Sequence, residues 1–254
     1  MSARTACIDE LISRLLGSEK CYGWHVYRYR ITSVRLLFQS LVESLAIQGR
    51  LLLDAGCGSG GFDLTMSRNV YSIGVDIDHI SVREAVKRSK DLKMHNSLFL
   101  VADIQKLPFQ DGVFDVVVSQ YVVEHLKNPQ NAINESVRVC AKGGKLLVSS
   151  PNAHNPLVVV ARLFPQVSTK LLQLLKVEFL PVFYRLNSPS ALIESLSERG
   201  LIIQKLLMIG EPPIPIFYQF PILFLIWIFF NRLTDFGSLK ILKEDIILVG
   251  SKIR

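Results

Sequence analysis

The stretch LLLDAGCGSGG, residues Leu51 to Gly61, decides the fold because a run of apolar residues ends there in a glycine-rich turn. This arrangement is typical of a buried strand followed by a loop whose backbone a ligand can approach closely. Two nucleotide-binding patterns share Gly56 and Gly58. Gly61 as the third glycine completes the G-x-G-x-x-G of dinucleotide-binding loops, whereas Gly60 completes the second pattern. The residues around the loop are therefore needed to distinguish the two patterns.

Asp54 discriminates between the two patterns. It lies two residues before Gly56, where dinucleotide loops carry an apolar residue, and its carboxylate would repel dinucleotide phosphates. Fifty residues also precede Leu51, whereas a dinucleotide fold usually begins with this strand. The sequence therefore favours a nucleotide ligand that carries a positive charge near Asp54.

Short apolar runs alternate with amphipathic stretches in the rest of the chain. The runs are LLLDA, YSIGVDI, SLFLVAD, VFDVVVS and KLLVSS, followed later by LIIQKLLM and DIILVGSKI. Such runs are typical of strands buried on both faces of a parallel sheet, with crossover helices between them. Residues 31–48 have the apolar spacing of a helix. We therefore predict the α/β class, with a doubly wound, mostly parallel seven-stranded sheet.

Composition indicates one domain without a disulfide or zinc framework. The 254 residues are 49% apolar and 20% charged, which suits a sizeable core. The four cysteines form no C-x-x-C pair and have no regular spacing. The stretch MSARTACIDELISRLLGSEK mixes charges of both signs and lacks the apolar core of a signal peptide. We therefore expect a cytoplasmic protein.

The segment after the fifth predicted strand has the pattern of a lid. Residues 155–183 resemble two amphipathic helices that are broken at Pro165 and Pro181. Ser188, which is followed by a proline, predicts a helix N-cap, and Gly200 predicts the end of that helix.

Residues 213–230, PIPIFYQFPILFLIWIFF, are strongly apolar but do not fit a membrane span. Three prolines break the run, and its uninterrupted part, residues 222–230, is much shorter than the ~20 residues that cross a bilayer. Trp227 suits a membrane interface. We expect an apolar wedge that lies in one leaflet or lines a lipid-shaped pocket, with a buried hairpin as the alternative. A peripheral membrane contact would involve this segment and residues 155–183.

Five motifs occur in order between residues 30 and 150, namely DAGCGSG, GVDID, VADIQKLPFQDGVFDVVVS, YVVEHLKNP and AKGGKLLVSSPN. Together they resemble the class I S-adenosylmethionine-dependent methyltransferases, of the branch that methylates small or lipid-like molecules. The resemblance implies a Rossmann-like methyltransferase fold, S-adenosylmethionine as the cofactor, and a small apolar or lipid-like acceptor. The sulfonium of this cofactor also supplies the positive charge that Asp54 favours.

We predict a single domain in four parts. Residues 1–49 form amino-terminal helices, and residues 50–152 form the cofactor-binding core. Residues 153–186 form the helical lid insertion after the fifth strand. Residues 187–254 complete the domain and contain the apolar insertion before the last strand.

The resemblance also implies the cofactor contacts, residue by residue. Asp76 follows Asp54 at close to the ~20-residue offset at which an acid after the second strand reaches a ribose. The implied contacts are Asp54 near the methionine amino group, Gly56, Gly58 and Gly60 along the methionine and ribose, Asp76 and Ile77 at the ribose hydroxyls, Asp103 and Ile104 at the adenine, and Ser119 and Gln120 at the methyl-transfer cavity. A turn or a helix cap is the alternative role for Asp76 and Asp103.

His125 is the candidate general base, since histidine changes charge nearest neutral pH. The alternative is that the Glu-His pair caps a helix or packs against the loop. Tyr121, Tyr184 and Arg185 are candidate substrate contacts, with lid packing as the alternative for the last two. Quinone-ring O-methyltransferases are a similar group, but the position of an acid that helps to bind a divalent metal there is Tyr121 here. We therefore expect no metal.

Other functions stay open at this stage. Gly61 keeps a nicotinamide-dependent dehydrogenase among them, and a methyltransferase-like domain could bind a membrane or a partner without catalysis. The net charge of +7 would suit an RNA methyltransferase, but the basic residues are scattered. The sequence also lacks the N-P-P-[YF] signature of amino-group nucleic-acid methylases and a Pro-Cys nucleophile. Small-molecule or lipid acceptors are therefore favoured over nucleic acid.

Overall fold

The computed structural model describes residues 37–45, 50–60, 70–166, 182–210 and 221–253. Predictions for the other residues lie outside this part of the chain. They concern the start of the helix predicted over 31–48, Gly61, most of the second lid helix, and the proline-rich beginning of the apolar segment.

A seven-stranded sheet forms the centre of the described structure. Its strands are β1 (Leu51–Ala55), β2 (Tyr71–Asp76), β3 (Ser97–Val101), β4 (Phe114–Gln120), β5 (Cys140–Pro151), β6 (Leu201–Ile209) and β7 (Asp245–Lys252). Their order across the sheet is β3-β2-β1-β4-β5-β7-β6. β1 to β5 pair in parallel, and β7 runs antiparallel to both of its neighbours. The predicted α/β class and mostly parallel seven-stranded sheet are confirmed.

Both faces of the sheet are covered, which explains the continuous apolar runs in its strands. Leu53 and Val117 belong to the core cluster on one face, whereas Leu52 and Val116, their neighbours in sequence, belong to the cluster on the other. All four side chains are fully buried. A strand buried in this way has no polar side, so its sequence does not alternate.

The helices flank this sheet in the order that the sequence predicts. They are α1 (37–45), α2 (His79–Asp91), α3 (Pro129–Val139), α4 (Pro156–Leu163), α5 (Pro189–Ser197) and α6 (Pro221–Leu233), with short 3-10 helices at Val123–His125 and Gly237–Leu242. Phe38 and Val42 anchor α1 in the core, while Glu43 is exposed. The amphipathic helix predicted in this region is confirmed over the described residues.

The predicted helix ends are also confirmed. Ser188 Oγ accepts a hydrogen bond from the Ala191 backbone N–H at 3.2 Å and so caps the start of α5. Gly200, with φ of 76°, follows the end of this helix. α4 ends at Leu163, before Pro165.

β5 begins earlier than the run KLLVSS indicates. Cys140 pairs with Phe114, and the register shifts before Val116 pairs with Lys145. Gly144 makes this irregular part possible, because a Cβ there would lie 2.8 and 2.9 Å from two backbone oxygen atoms. The irregular part contains no repeating apolar pattern, so the sequence does not reveal it.

One face of α6 is apolar and exposed. Ile222, Leu225, Ile226, Phe229 and Leu233 recur at helical spacing and are between 44% and 73% exposed. Trp227 is buried instead, and its Nε1 donates a hydrogen bond to Glu244 Oε1 at 3.3 Å. A buried hairpin therefore does not describe this helix. Within the described residues, no helix combines the length and apolarity needed to cross a membrane.

Candidate active site

The predicted contact residues gather at the edge of the sheet where the parallel strands end. Strand pairing places Asp54, Asp76 and Ser119 near the carboxyl ends of β1, β2 and β4. Asp103 follows β3 by two residues. Open α/β sheets bind ligands at this edge.

The glycine loop after β1 needs glycine at two positions for packing reasons. Gly56 has φ of 95°, and a Cβ there would lie 2.3 Å from Val122 Cγ2. Gly60 has φ of 73°, and a Cβ there would lie 3.0 Å from the ring of Phe99. Gly58 differs, because with φ of 52° a Cβ would meet no atom of the described residues within 4 Å. Among the described residues, the backbone at Gly58 therefore borders open space that a ligand can fill.

Asp76 lies beside this space and is oriented by the backbone. Its Oδ2 accepts a hydrogen bond from the Gly58 N–H at 2.8 Å, and its Oδ1 accepts one from the Asp78 N–H at 2.9 Å. Each carboxylate oxygen can accept a second hydrogen bond. The carboxylate can therefore hold two adjacent hydroxyl groups, as a ribose presents them, without losing its own anchors.

Asp103 begins a tight turn after β3. Its Oδ1 accepts a hydrogen bond from the Gln105 N–H at 2.8 Å, and its carbonyl accepts one from the Lys106 N–H at 2.9 Å. The side chain of Ile104 is buried in the core, so its backbone is the part that a ligand can touch. Ile77, by contrast, is 69% exposed directly after Asp76. The turn thus fixes a carboxylate after β3, while Ile77 exposes an apolar side chain after the neighbouring strand β2.

Asp54 is buried inside the end of β1, with 2% of its surface exposed. A group buried this deeply can reach a ligand only through the loop or a water molecule.

Asp115 has a structural role, as its place near the start of β4 suggests, because its Oδ2 accepts a hydrogen bond from the Leu51 N–H at 3.0 Å.

The residues predicted to line the acceptor side follow β4. Ser119 is buried, and its hydroxyl has no hydrogen-bond partner among the described residues. Gln120 ends the strand, and Tyr121 adopts φ of 55° while its N–H donates to the Ser149 carbonyl at 3.1 Å. This turn of the chain leads into the 3-10 helix that carries His125, which is half-buried.

Glu124 is a residue of this site that sequence reasoning missed. It is 2% exposed, and its Oε2 has no hydrogen-bond partner in the described part of the chain. Burial raises the pKa of its carboxyl group to about 8. The sequence shows an acid directly after two valines, Val122 and Val123, and this apolar setting is the signal that could have identified it.

The segment from residue 182, at the end of the predicted lid, contacts Glu124. The Phe183 N–H donates to the Glu124 carbonyl at 2.7 Å, and Tyr184 follows with φ of 49°. The guanidinium carbon of Arg162, on α4, lies 5.7 Å from the centre of the Tyr184 ring. Arg185 is exposed. The structure thus places Tyr184 close to Glu124, with which it interacts electrostatically, whereas Arg185 points to solvent.

The geometry can be compared with two other kinds of site, a dinucleotide-binding site and a metal site. A dinucleotide fold has the strand order 3-2-1-4-5-6, whereas here an antiparallel β7 lies between β5 and β6. Gly61, on which that alternative depends, is outside the described residues. No group of three or more His, Cys, Asp or Glu side chains suited to a metal ion occurs in the described ranges.

Comparison with known proteins agrees with the geometry. Residues 53–148 match the family model of a methyltransferase domain. Ajmaline N-methyltransferase of Rauvolfia serpentina is 30% identical over 125 residues, or 48% of this chain and 43% of that protein. A probable S-adenosylmethionine-dependent methyltransferase of Mycolicibacterium smegmatis is 32% identical over 139 residues, or 54% of this chain and 51% of that protein. The chain thus matches about half the length of these curated relatives.

A solved structure extends the likeness beyond the matched domain. Geranyl diphosphate C-methyltransferase from Streptomyces coelicolor, in complex with Mg²⁺, geranyl diphosphate and S-adenosyl-L-homocysteine, superposes with a TM-score of 0.63 at 15% identity. The match covers 94% of this chain and 87% of that one. The fold is therefore that of the class I S-adenosylmethionine-dependent methyltransferases. Residues 53–148 are a methyltransferase domain of this class.

Proposed function

We propose that the protein transfers a methyl group from S-adenosylmethionine to a small apolar or lipid-like acceptor. The observation that carries the proposal is the carboxylate of Asp76, which two backbone N–H groups hold in place beside Gly58, where the described residues leave open space. The names of two similar proteins specify small-molecule acceptors, ajmaline and geranyl diphosphate.

The donor side of the proposed site uses backbone geometry and three acids. When bound, S-adenosylmethionine supplies a methyl carbon on a positively charged sulfur. Asp76, with Ile77 beside it, would hold the ribose hydroxyls, and Asp103 with the Ile104 backbone would hold the adenine. Asp54 would act on the methionine amino group through the loop or a water molecule.

The acceptor side has to position the reacting atom and exclude water, because methyl transfer is an in-line displacement. The buried end of β4 and the segment after the lid supply the walls for this purpose. The residues we assign to them are Ser119, Gln120, Tyr121, Tyr184 and Arg185. His125 is our candidate for removing a proton when the acceptor is a hydroxyl group or an acidic carbon.

We further propose that the protein reaches lipid-like acceptors at a membrane surface. The exposed apolar face of α6 is one contact, and two basic side chains that follow it are exposed, Arg232 in the last turn of α6 and Lys240 in the next 3-10 helix. α4 adds exposed apolar residues, including Val160 and Leu163. Apolar side chains flanked by cations suit the boundary of an anionic leaflet.

A binding titration tests the donor assignment. The purified protein is titrated with S-adenosylmethionine, S-adenosylhomocysteine and NADH, next to an Asp76→Ala variant. Binding of the first two ligands that weakens in the variant supports the proposal, and a radiolabelled-methyl screen over lipid extracts then identifies the acceptor. Binding of NADH alone would replace it with the dehydrogenase alternative.

A further inference from the structure

Glu124 is a buried carboxyl group to which the proposed function assigns no task. It lies in the 3-10 helix Val123–His125, four residues beyond the end of β4. This position is at the edge of the sheet where the proposed donor and acceptor meet. A buried carboxyl group at such a place costs free energy, so a role in the site would account for it.

The carboxyl group has unused hydrogen-bonding capacity. Its Oε2 is buried without a partner among the described residues, while the group also interacts with its own backbone N–H. An unpartnered buried oxygen is unfavourable until a ligand or a water molecule reaches it. Burial holds the pKa at about 8, so the group is mostly neutral at pH 7.

Contacts on both sides connect Glu124 to the two halves of the site. Val122, two residues earlier, packs against Gly56 in the loop proposed to hold the donor. On the other side, Phe183 anchors the segment after the lid to the Glu124 backbone. Glu124 therefore lies between the donor loop and the chain that covers the acceptor.

The described ionisable groups around Glu124 are few. Burial and the nearby Glu124 carboxyl group raise the pKa of the Tyr184 phenol, which Arg162 opposes. His125 is the next residue in the chain. Arg162 is exposed, and its guanidinium group lies over the Tyr184 ring, so the interaction that the structure shows for Arg162 here is with this ring.

We propose, on the basis of the proposed function, that Glu124 is a proton acceptor controlled by the methyl donor. It is a neutral acid in the free protein and loses its proton when the positively charged donor binds in the adjacent loop. A cation close to a carboxyl group favours the ionised form. Donor binding would thus prepare the carboxylate before the acceptor reacts.

The proposed step balances in atoms and charge. The acceptor's O–H or acidic C–H bond breaks, and its proton goes to the Glu124 carboxylate, so that Glu124 takes the part that the proposed function gives to His125. The acceptor atom forms a bond to the methyl carbon while the bond from that carbon to sulfur breaks, and the electron pair stays on sulfur. The products are the methylated acceptor, a neutral thioether and a neutral Glu124.

The test measures protons released on binding, without any turnover. S-adenosylmethionine and S-adenosylhomocysteine differ by the methyl group and the positive charge that it creates on sulfur. Calorimetric titrations at pH 7.5 in buffers of different ionisation enthalpy give the number of protons released by each. We expect the charged ligand to release a larger fraction of a proton than the neutral one.

Three variants assign that proton. The two ligands differ in the number of protons that their binding releases. Glu124→Gln should abolish the part of this difference that is due to Glu124, whereas Glu124→Asp should retain it. Glu198→Gln, at an exposed glutamate, is the matched control and should leave it unchanged. Any contribution from the amino group of the ligands is common to all variants and cancels in the comparison.

Each remaining outcome decides the proposal. A difference in proton release that is as large in Glu124→Gln as in the wild-type protein, or that falls in His125→Asn instead, overturns the proposal but leaves donor binding intact. Failure of the wild-type protein to bind either ligand overturns the proposed function as well. If Glu124→Gln does not fold, the wild-type pH series decides, because the difference must decline above about pH 8, where the free protein is already ionised.

Discussion

Gly56 and Val122 are in contact across the site, although 66 positions along the chain separate a loop residue from a residue of the turn after β4. A Cβ at Gly56 would lie 2.3 Å from Val122 Cγ2, well inside any allowed contact. The contact joins the loop proposed to bind the donor to the turn that carries Glu124. A substitution at either residue should therefore alter the structure around the other.

Gly56→Ala should destabilise the protein and abolish donor binding. The positive φ strains an alanine and the overlap with Val122 adds to the strain, so we expect a loss of about 2 kcal/mol or more in the free energy of unfolding. Gly58→Ala is the matched control, because Gly58 has a positive φ and a Cβ there would contact none of the described residues. It should cost about 1 kcal/mol in stability. Denaturant unfolding measures the stability of both variants and of the double variant Gly56→Ala with Val122→Ala. If Val122→Ala does not restore part of the stability that Gly56→Ala loses, the overlap with Val122 is not the cause of the loss.

Asp76→Ala should reduce donor affinity at least ~10-fold, which corresponds to about 1.4 kcal/mol. The substitution removes the proposed hydroxyl acceptor and also frees the Gly58 N–H. Asp78→Ala is its control, since Asp78 caps α2 through the Ile80 and Ser81 N–H groups. That variant should lower the melting temperature while leaving donor affinity unchanged. Equal losses of affinity in the two variants would show that Asp76 has only a structural role.

The raised pKa of Glu124 should make stability depend on pH. Between about pH 4.5 and pH 8 the carboxyl group is ionised in the unfolded chain and protonated in the native protein. The native state then binds more protons, so stability falls as pH rises through this range. Relative to Glu124→Gln, the wild-type protein should lose at least about 2 kcal/mol between pH 5 and pH 8. Parallel pH profiles in denaturant titrations of the two proteins would refute the shift.

Glu135 should show the opposite dependence on pH. Hydrogen bonds from Arg138 and the Leu107 N–H lower the pKa of its carboxyl group below the ordinary value of 4.5. Its contribution is thus present above pH 4.5 and is lost as pH falls through the native pKa. Glu135→Gln should cost roughly 1–3 kcal/mol near pH 7 and much less in acid. Unfolding measured at pH 7 and pH 3 checks this, and an equal cost at both values would contradict it.

Phe229→Glu should weaken binding to vesicles that contain anionic lipid by at least ~10-fold. The side chain is 70% exposed on the apolar face of α6, and a carboxylate there would oppose both apolar insertion and the negative surface. Leu98→Glu is the control, because Leu98 is 65% exposed on β3, at the opposite edge of the sheet from β6. Vesicle co-sedimentation that falls equally for both variants would indicate a general loss of apolar surface instead of a docking face.

The strands and the donor loop could be predicted because their signals are local. The run Leu51–Ala55 is apolar on both faces and ends in glycines, and the positions of Asp54 and Asp76 relative to it follow from the repeating unit of strand and helix. Ser188 and Gly200 mark a helix by their own backbone preferences. Such features depend on neighbours in sequence.

Glu124 could not be predicted in the same way, because its environment comes from distant parts of the chain. Phe183, almost sixty positions later, covers its backbone, and the packing of Val122 on Gly56 fixes the turn before it. The sequence places an acid and a histidine side by side and does not show that the acid is buried while His125 is half-buried. The irregular start of β5 was missed for a similar reason, since its pairing follows the path of Gly144 and not an apolar pattern.

The position of β7 between β5 and β6 sets an order of events during synthesis. β6 leaves the ribosome before β7 but pairs with no other described strand, so it has no partner for several seconds at ~5–20 residues per second. During this interval an apolar strand with both edges open is a target for chaperones and for pairing with other chains. β7, residues 245–252, is the last described strand in sequence, and it pairs with both β5 and β6. Its synthesis therefore joins β6 to the rest of the sheet.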